Sequence, residues 1–574
     1  MENKRSGRNN FLRLFLAGLF LMFIASPNVS WADSEVDALK VQLSQLSEMM
    51  QNVEKKLANM EAKNAAKESE IEEMEERVSE SEMHTSTDKL SLGIELRSRG
   101  DSIYYQDMIS APDALMGMFF TDYNAGNPSL GGLNNATAAQ IQGMMAGLAA
   151  SPLNVPEKND VDNDAIFTTR FRINMKAKIN PQLSFAGRLA AYKVWGDSSG
   201  VQNYQGGMND VTLDGTTSSL PTDDSIHLER AYFNYKDDVG SVPINFSLGR
   251  RPSTEGPPME YAEYSLEGGS PMAHIINWQF DGASLNFGLE ETTDIPGAAF
   301  KLCYGVGFES DFGNSTSMKS GEQLKDVHLF GFIANLFDND TTSAVLNYAH
   351  AFDITDGFTG QTVMPFTATE NPDGTYTFAQ NTGGYISRTE PSTNLGDWDA
   401  LTMLVRTNLT ERFDKDIDLF FSFGWSHTSP DQTSAQPFYN LLGQGLLNSN
   451  GSLDSQSGYS LYTGAIFPMP LSARWGFEYN WGSEYWFNFT GAEDSLVDSK
   501  LAVRGHVFET YYIQPIFKDN FFLKLGARYY DYDYTGSGNP LGAPVKISDA
   551  TSMDALFPVA DKAWNAYLSA TVRF

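Results

Sequence analysis

Few arrangements in this sequence could make or break bonds. Gly196-Asp197-Ser198-Ser199-Gly200 matches the Gly-x-Ser-x-Gly elbow, which exposes a serine nucleophile only between a strand and a following helix. A strand-like run leads into it, but Gly-, Asn- and Thr-rich residues follow and read as loop, so no catalytic residue is assigned. Asp160-x-Asp162-x-Asp164 begins like a calcium loop, with Ala165 and Phe171 where that loop needs its glycine and its glutamate. An EF-hand is excluded, and a looser surface site bridging loop carboxylates stays open. None of the seven histidines (His84, His227, His274, His328, His350, His427 and His506) stands two to four residues from another, so no local metal pair is visible. Cys303 is the sole cysteine, which excludes an internal disulfide, a thiolate metal site and covalently attached haem. The expectation is a non-enzyme with no metal and no cofactor.

The chemistry the chain does carry is electrostatic. It has 574 residues and a formal net charge of −32, from 72 acidic and 40 basic side chains. Such a balance repels nucleic acid unless a basic face is segregated. A mean hydropathy of −0.32, with no long apolar run beyond the N-terminus, excludes a helical membrane protein. These values alone would describe a soluble acidic protein, which the 13% of aromatic residues and the 49 glycines fit poorly.

Residue order overturns that description. From Leu90 onward polar and apolar residues alternate, as in Phe167, Thr169, Phe171, Ile173, Met175, Ala177 and Ile179 against Thr168, Arg170, Arg172, Asn174, Lys176 and Lys178. Such runs are about ten to thirteen residues long, longer than the usual strand of five or six and matched to a tilted transmembrane β-strand. Tight turns at Asn180-Pro181, 237–242, 338–340, 411–416, Met469-Pro470 and 518–520 alternate with long segments at 106–165, 198–224, 252–280, 311–325, 353–396, 428–456, 483–498 and 535–560. Short inner turns and long outer loops mark an outer-membrane barrel. Parity then requires an even strand number, and the count is about sixteen if 281–290 is one strand. Trp195, Trp398, Trp425, Trp481 and Trp564 fall at strand ends on the long-loop side, where an aromatic girdle belongs. Trp398 alone has the wrong parity to face lipid, which implies a bulge or a misread facing.

In a barrel the polar parity faces the lumen. The inward set holds Arg97, Arg170, Arg172, Lys176, Lys178, Arg188, Lys301, Arg406, Arg474, Arg504, Lys524 and Arg528, against fewer acids: Glu95, Glu290, Glu309, Asp418 and Glu478. A cationic wall concentrates anions. Two readings stay open: an anion preference, or pairing of these cations with acidic loops folded into the pore. The loop 106–165, with a Met- and Ala-rich stretch at Met144 to Ala150 suited to a short helix, is expected to narrow the pore, cap its mouth or lie exposed.

Two elements precede the barrel. Lys4, Arg5, Arg8 and Arg13, the apolar run Leu14 to Ala25 and Ser30-Trp31-Ala32 form a cleavable export signal over 1–32. Over 33–88, apolar residues recur in heptads (Val36, Leu43, Met50, Leu57, Asn64, Ile71, Val78 and Leu39, Leu46, Val53, Met60, Lys67, Met74), which predicts a periplasmic α-helical coiled coil and a homotrimer. Asn64 and Lys67 are the polar seam residues that would set register and strand number.

The final strand, Trp564 to Phe574, alternates to a terminal aromatic and resembles the signal by which outer-membrane proteins are recognised by their assembly machinery. RFRINMKAKINPQLSFAGRLAAYKVWGD at 170–197 and FSLGRRPSTEGPP at 246–258 resemble a porin-like family of Gram-negative bacteria that carries a domain of unknown function. The resemblance implies a channel without a settled cargo. The sequence therefore reads as an all-β protein, a transmembrane antiparallel barrel over 89–574 held in outer-membrane lipid. Its expected function is passive diffusion of small hydrophilic solutes. The alternatives are a tether between outer membrane and cell wall, or a barrel sheath for an electron-transfer partner.

Overall fold

The structure is a computed structural model and describes residues 55–56, 90–112, 134–149, 155–196, 226–265, 268–310, 324–356, 360–363, 366–380, 386–389, 391–491, 493–555 and 558–574. The export signal, the coiled coil apart from Lys55 and Lys56, and Ser198 lie outside the described residues. Lys89–Phe574 forms one compact unit.

Sixteen strands close into one antiparallel barrel. In chain order they are β1 Leu90–Ser110, β2 Glu157–Lys178, β3 Leu183–Val194, β4 His227–Val239, β5 Val242–Arg250, β6 Asp281–Gly288, β7 Ala299–Phe308 and β8 Val327–Asp338. The second half comprises β9 Thr342–Thr355, β10 Asn394–Asn408, β11 Asp418–Pro430, β12 Gln456–Pro468, β13 Arg474–Gly482, β14 Gly505–Phe517, β15 Phe521–Tyr532 and β16 Lys562–Arg573. Each strand pairs with its neighbours in sequence, and β16 closes on β1 from Glu95↔Arg573 to Gln106↔Lys562. β6 is the single strand that parity required. It is followed by a short turn at 289–298, absent from the turns read in the sequence, which carries the helical turn Glu290–Thr293. That places Glu290 outside the lumen, and Glu309 is exposed just past β7.

The period of two fixes the faces, because successive side chains point to opposite sides of a strand. On β11, Phe421 and Phe423 are exposed on the outer wall while Phe420 and Ser422 are buried inside. Toward the long-loop end an aromatic row crosses the outer wall through the register Tyr479↔Phe508↔Tyr529↔Trp564↔Tyr104. Trp195 and Trp564 are exposed, and Trp425 and Trp481 half-buried, on the same side.

Trp398 is the exception. It is fully buried in the lumen, its ring centroid 4.9 Å from that of Phe489, and its Nε1 donates to the Phe487 carbonyl at 3.2 Å. Its parity is inward because Phe487 and Phe489 belong to a loop that enters the barrel and needs an aromatic floor. The loop 106–165 also departs from expectation. Its flanking strands run on to Ser110 and back from Glu157, and its helix is longer than the stretch read in the sequence, Ala138–Ala149. Ile141 packs with Tyr376, Phe378, Phe438 and Leu441 of two other long loops. The helix of this loop thus joins those outer loops, while Met108 and Ile109 at its start pack with Leu496 and Val497.

Candidate functional site

The lumen is filled from the long-loop end by two segments, 251–280 and 483–504. The first is a finger. Its two legs are joined where Gly269 N donates to the Glu255 carbonyl (2.9 Å), Ser270 N to that of Pro252 (2.8 Å) and Ala273 N to that of Pro257 (3.0 Å). So close an approach needs glycine: a Cβ on Gly269 would stand 1.8 Å from the Thr254 carbonyl oxygen, and one on Gly256 1.9 Å from that of Pro271. At the fingertip the helical turn Glu260–Glu263 reaches the short-turn end of the barrel. There Glu260 accepts from Arg406 of β10 at 2.7 Å, Tyr261 stacks on Phe420 of β11, and Ala262 packs with Tyr511, Ile513 and Phe522 of β14 and β15.

The 483–504 segment crosses the lumen and locks to the finger. Asn277 N donates to the Phe489 carbonyl at 2.6 Å, Phe489 N to that of Ile275 at 3.0 Å, and Asn488 Nδ2 to that of His274 at 2.9 Å. Ile275, Ile276, Trp278, Trp398, Trp486, Phe487 and Phe489 form one apolar cluster across the barrel. His274 is fully buried, with Ser422 Oγ 2.7 Å from Nδ1 and Ser460 Oγ 2.9 Å from Nε2, which satisfies both ring nitrogens.

Charge decides where these segments sit. A buried ion costs several kcal/mol unless it is paired and hydrogen-bonded. The wall of β1 to β4 supplies guanidinium groups and the two segments supply carboxylates. Arg97 binds Asp494 at 3.0 Å and approaches Glu263 at 3.9 Å. Arg170 pairs with Asp494 and with Glu95 (2.7 Å), and Arg172 with Glu255 (2.6 Å) and Glu229 (2.7 Å). Arg188 lies 3.3 Å from Glu255 and 3.4 Å from Glu229. Glu229 reaches this cluster through a β-bulge: Arg188 pairs with Arg230 but Leu189 with Leu228, so Glu229 and Arg230 both point inward. On the wall of β13 to β15 the polarity is reversed, for Lys500 of the 483–504 segment sits between Glu478 of β13 and Glu509 of β14 (2.6 Å to the latter). Arg528 of β15 completes that network, 2.9 Å from Glu509 and 3.6 Å from Glu493.

The other cations of the sequence-read set are scattered. Arg406 reaches Glu260, Lys301 donates to Ser270 Oγ at 3.1 Å, and Lys524 rests over the rings of Tyr511 and Tyr567 at 5.1 and 5.2 Å. Lys176 and Lys178, toward the short-turn end of β2, and Arg474 at the same mouth are exposed. Arg504 is not a wall residue. It precedes β14 and donates to the carbonyls of Trp486, Thr535 and Asn539, holding two long loops together. Sequence reading missed Arg99, which shares the parity of Arg97 and pairs with Asp101 at 2.6 Å. It also missed Glu255, Asp494 and Lys500, which no periodicity marks. Among the described residues, no group of three His, Cys, Asp or Glu is placed to hold a metal ion.

A closed barrel with an apolar outer wall, aromatic girdle, charged interior and loops folded inward defines the porin-like class of outer-membrane β-barrel. The chain belongs to the family described as protein of unknown function DUF3373, whose profile matches residues 160–574. No curated protein sequence matches it. Among solved structures it is similar to OprB of Pseudomonas putida, at 11% identity and a TM-score of 0.39, covering 86% of this chain and 96% of that one. It is also similar to an anion-selective porin from Comamonas acidovorans, at 10% identity and a TM-score of 0.38, covering 84% and 99%. For the outer-membrane channel DcaP of Acinetobacter baumannii the values are 10%, 0.36, 85% and 99%.

Proposed function

We propose that the chain is a porin-like channel of a Gram-negative outer membrane for small hydrophilic solutes, shut in this conformation by its own loops and anion-preferring when open. The observation that carries this reading is the division of charge between wall and loops. Glu255, Asp494 and Glu263 ride on the inward segments, whereas Arg97, Arg170, Arg172, Arg188 and Arg230 belong to the barrel. When the segments move, the guanidinium groups stay and most of their carboxylates leave. Sixteen strands then enclose a water-filled lumen whose wall concentrates anions. The buried Nε atoms of Arg97, Arg170, Arg172 and Arg230 have no hydrogen-bond partner among the described residues, which gives a passing carboxylate or phosphate spare donors. Arg406, Arg474, Lys524 and Arg528, with Lys176, Lys178 and Lys301, extend the lining along the rest of the wall.

The short-turn end is then periplasmic, with the export signal at 1–32 removed and the coiled coil at 33–88 trimerising the chain through a seam that includes Asn64 and Lys67. Phe574, exposed at the end of β16, is the handle for the assembly machinery. Conductance in planar bilayers tests the channel reading. The intact protein should open rarely, and a variant lacking 252–279 should show defined steps with an anion-selective reversal potential. Silence from that variant would remove the channel, and cation selectivity would remove the anion preference.

A further inference from the structure

The finger is rooted at the long-loop end, yet Tyr264 at its tip is held at the other. Tyr264 gives its hydroxyl to Asp519 Oδ1 at 2.7 Å, and Asp519 lies in the turn 518–520 between β14 and β15. The Tyr264 carbonyl accepts from Arg573 Nη1 at 2.8 Å, while Arg573 Nε donates to the Asp519 carbonyl at 2.8 Å. The ring is boxed by Phe522 (centroids 4.9 Å apart) and by the guanidinium groups of Arg573 (5.3 Å) and Arg474 (5.8 Å). One side chain thus ties the tip of the plug to the turn and to the closing strand of the barrel.

Two features meet at this hold, of which the first, a left-handed backbone, is shared with Glu255 (φ 61°) and the second is not. The first is strain. Tyr264 has φ 50° and ψ 42°, in the left-handed region that bulky side chains rarely adopt and that costs about 1–2 kcal/mol. It closes the turn Glu260–Glu263, with Ser265 N donating to the Glu260 carbonyl at 3.1 Å, and the clamp on its ring and carbonyl adds to that hold. The second is access. Glu255 and His274 are buried among their partners, whereas Asp519 is exposed and Tyr264 half-buried. A solvent-exposed hydrogen bond contributes little net free energy. The weakest grip on the plug is therefore the strained one facing the short-turn mouth.

We propose that Tyr264 is a clasp, and that the lumen is opened from the short-turn mouth by its release from Asp519 and Arg573. The proposal rests on the channel reading and adds a side to it. Freed of the clasp, the backbone at Tyr264 is released from its left-handed conformation, and the turn Glu260–Glu263 keeps only Arg406, Phe420 and the contacts of Ala262 at the short-turn end, while the rest of the finger stays on its ion pairs and its bonds to 483–504.

Tyr264→Asn separates contact from strain, since asparagine tolerates the left-handed region but cannot reach Asp519 or fill the ring's box. In bilayers the full-length Tyr264→Asn chain should open at least tenfold more often than wild type. A second variant tests the side of release. Cysteines at Tyr264 and Asp519, with Cys303→Ser, are joined by a short thiol crosslinker with a reducible centre. The bridged channel should stay shut, and a membrane-impermeant reductant should open it from the short-turn chamber and not from the other. Variants whose sodium dodecyl sulfate gel migration fails to shift on heating are unfolded; a folded Tyr264→Phe, which loses only the hydroxyl, then replaces them and should still open at least threefold more often. Opening frequencies equal to wild type, or reduction effective only from the long-loop side, would overturn the clasp while the variant lacking 252–279 still conducts. If that deletion is silent too, the channel reading itself has failed.

Discussion

Glu255, on a loop that enters from one end of the barrel, lies 2.6 Å from Arg172 on the wall. Both side chains are buried, and Arg188 and Arg230 stand 3.3 and 3.4 Å from the other carboxylate oxygen of Glu255. One loop carboxylate thus compensates three guanidinium groups. Removing one partner of a buried pair costs about 3–5 kcal/mol, because the remaining charge is left uncompensated. Glu255→Ala should lower stability by that amount in denaturant unfolding, whereas Asp281→Ala, which removes an exposed carboxylate from Arg250 and leaves that guanidinium its bond to Gln279 Oε1, should change it by less than about 1 kcal/mol.

Trp398 and Trp564 offer a test of facing. Trp398 is 0% exposed inside the lumen and Trp564 48% exposed on the outer wall. Trp398→Ala should cost about 3–5 kcal/mol through the cavity it leaves. In the unsubstituted protein the Trp398 indole should be quenched little by brominated lipid, unlike that of Trp564. Strong quenching of Trp398 would contradict its inward placement.

These two tryptophans also mark how far the sequence carries. Strand number, pairing and facing are legible because a period of two, interrupted by turns, leaves one closed solution. Trp398 was flagged by its parity, and the alternation was right where the girdle assignment was not. The plug was hidden because 251–280 and 483–504 follow no period and satisfy their backbone groups irregularly. Their composition was the available signal: Met272, Ile275, Ile276, Trp278 and Phe280, or Trp486, Phe487 and Phe489, are too apolar for loops left in water. Glu229 escaped for another reason, since a bulge shifts facing by one residue and no pattern announces it.

Lys500 is 1% exposed in its side chain, between two equally buried carboxylates. Lys500→Met should destabilise by about 3–5 kcal/mol and loosen the 483–504 segment, seen as faster amide exchange near Phe489. Adding Glu509→Gln should recover part of the loss, with a coupling of about 0.5–3 kcal/mol in a double-mutant cycle. Strict additivity would mean that the two do not share a network.

The outer wall should reject charge according to depth. Ala527 faces outward beside Phe508 and Tyr529 in mid-wall. Ala527→Arg should cost about 2–4 kcal/mol in refolding into lipid vesicles, and Trp195→Arg, near the long-loop rim, about 0–1 kcal/mol. Equal costs would move the apolar band.

Gly269 has no room for a side chain, so Gly269→Ala should prevent the finger legs from joining while leaving strand pairing intact. Circular dichroism should be unchanged, and protease should cut within 251–280.

The fingertip has a consequence for assembly. Its contacts fall on β10, β11, β14 and β15, on Arg97 of the first strand and on Arg573 of the last. The first and last strands become neighbours only when the sheet closes. During folding the plug cannot reach its final seat before the seam is shut, and later passage through the mouth requires the interlocked 483–504 segment to move with it. It must be enclosed as the wall curls around it, so the last pairing of the barrel and the seating of its contents are a single event.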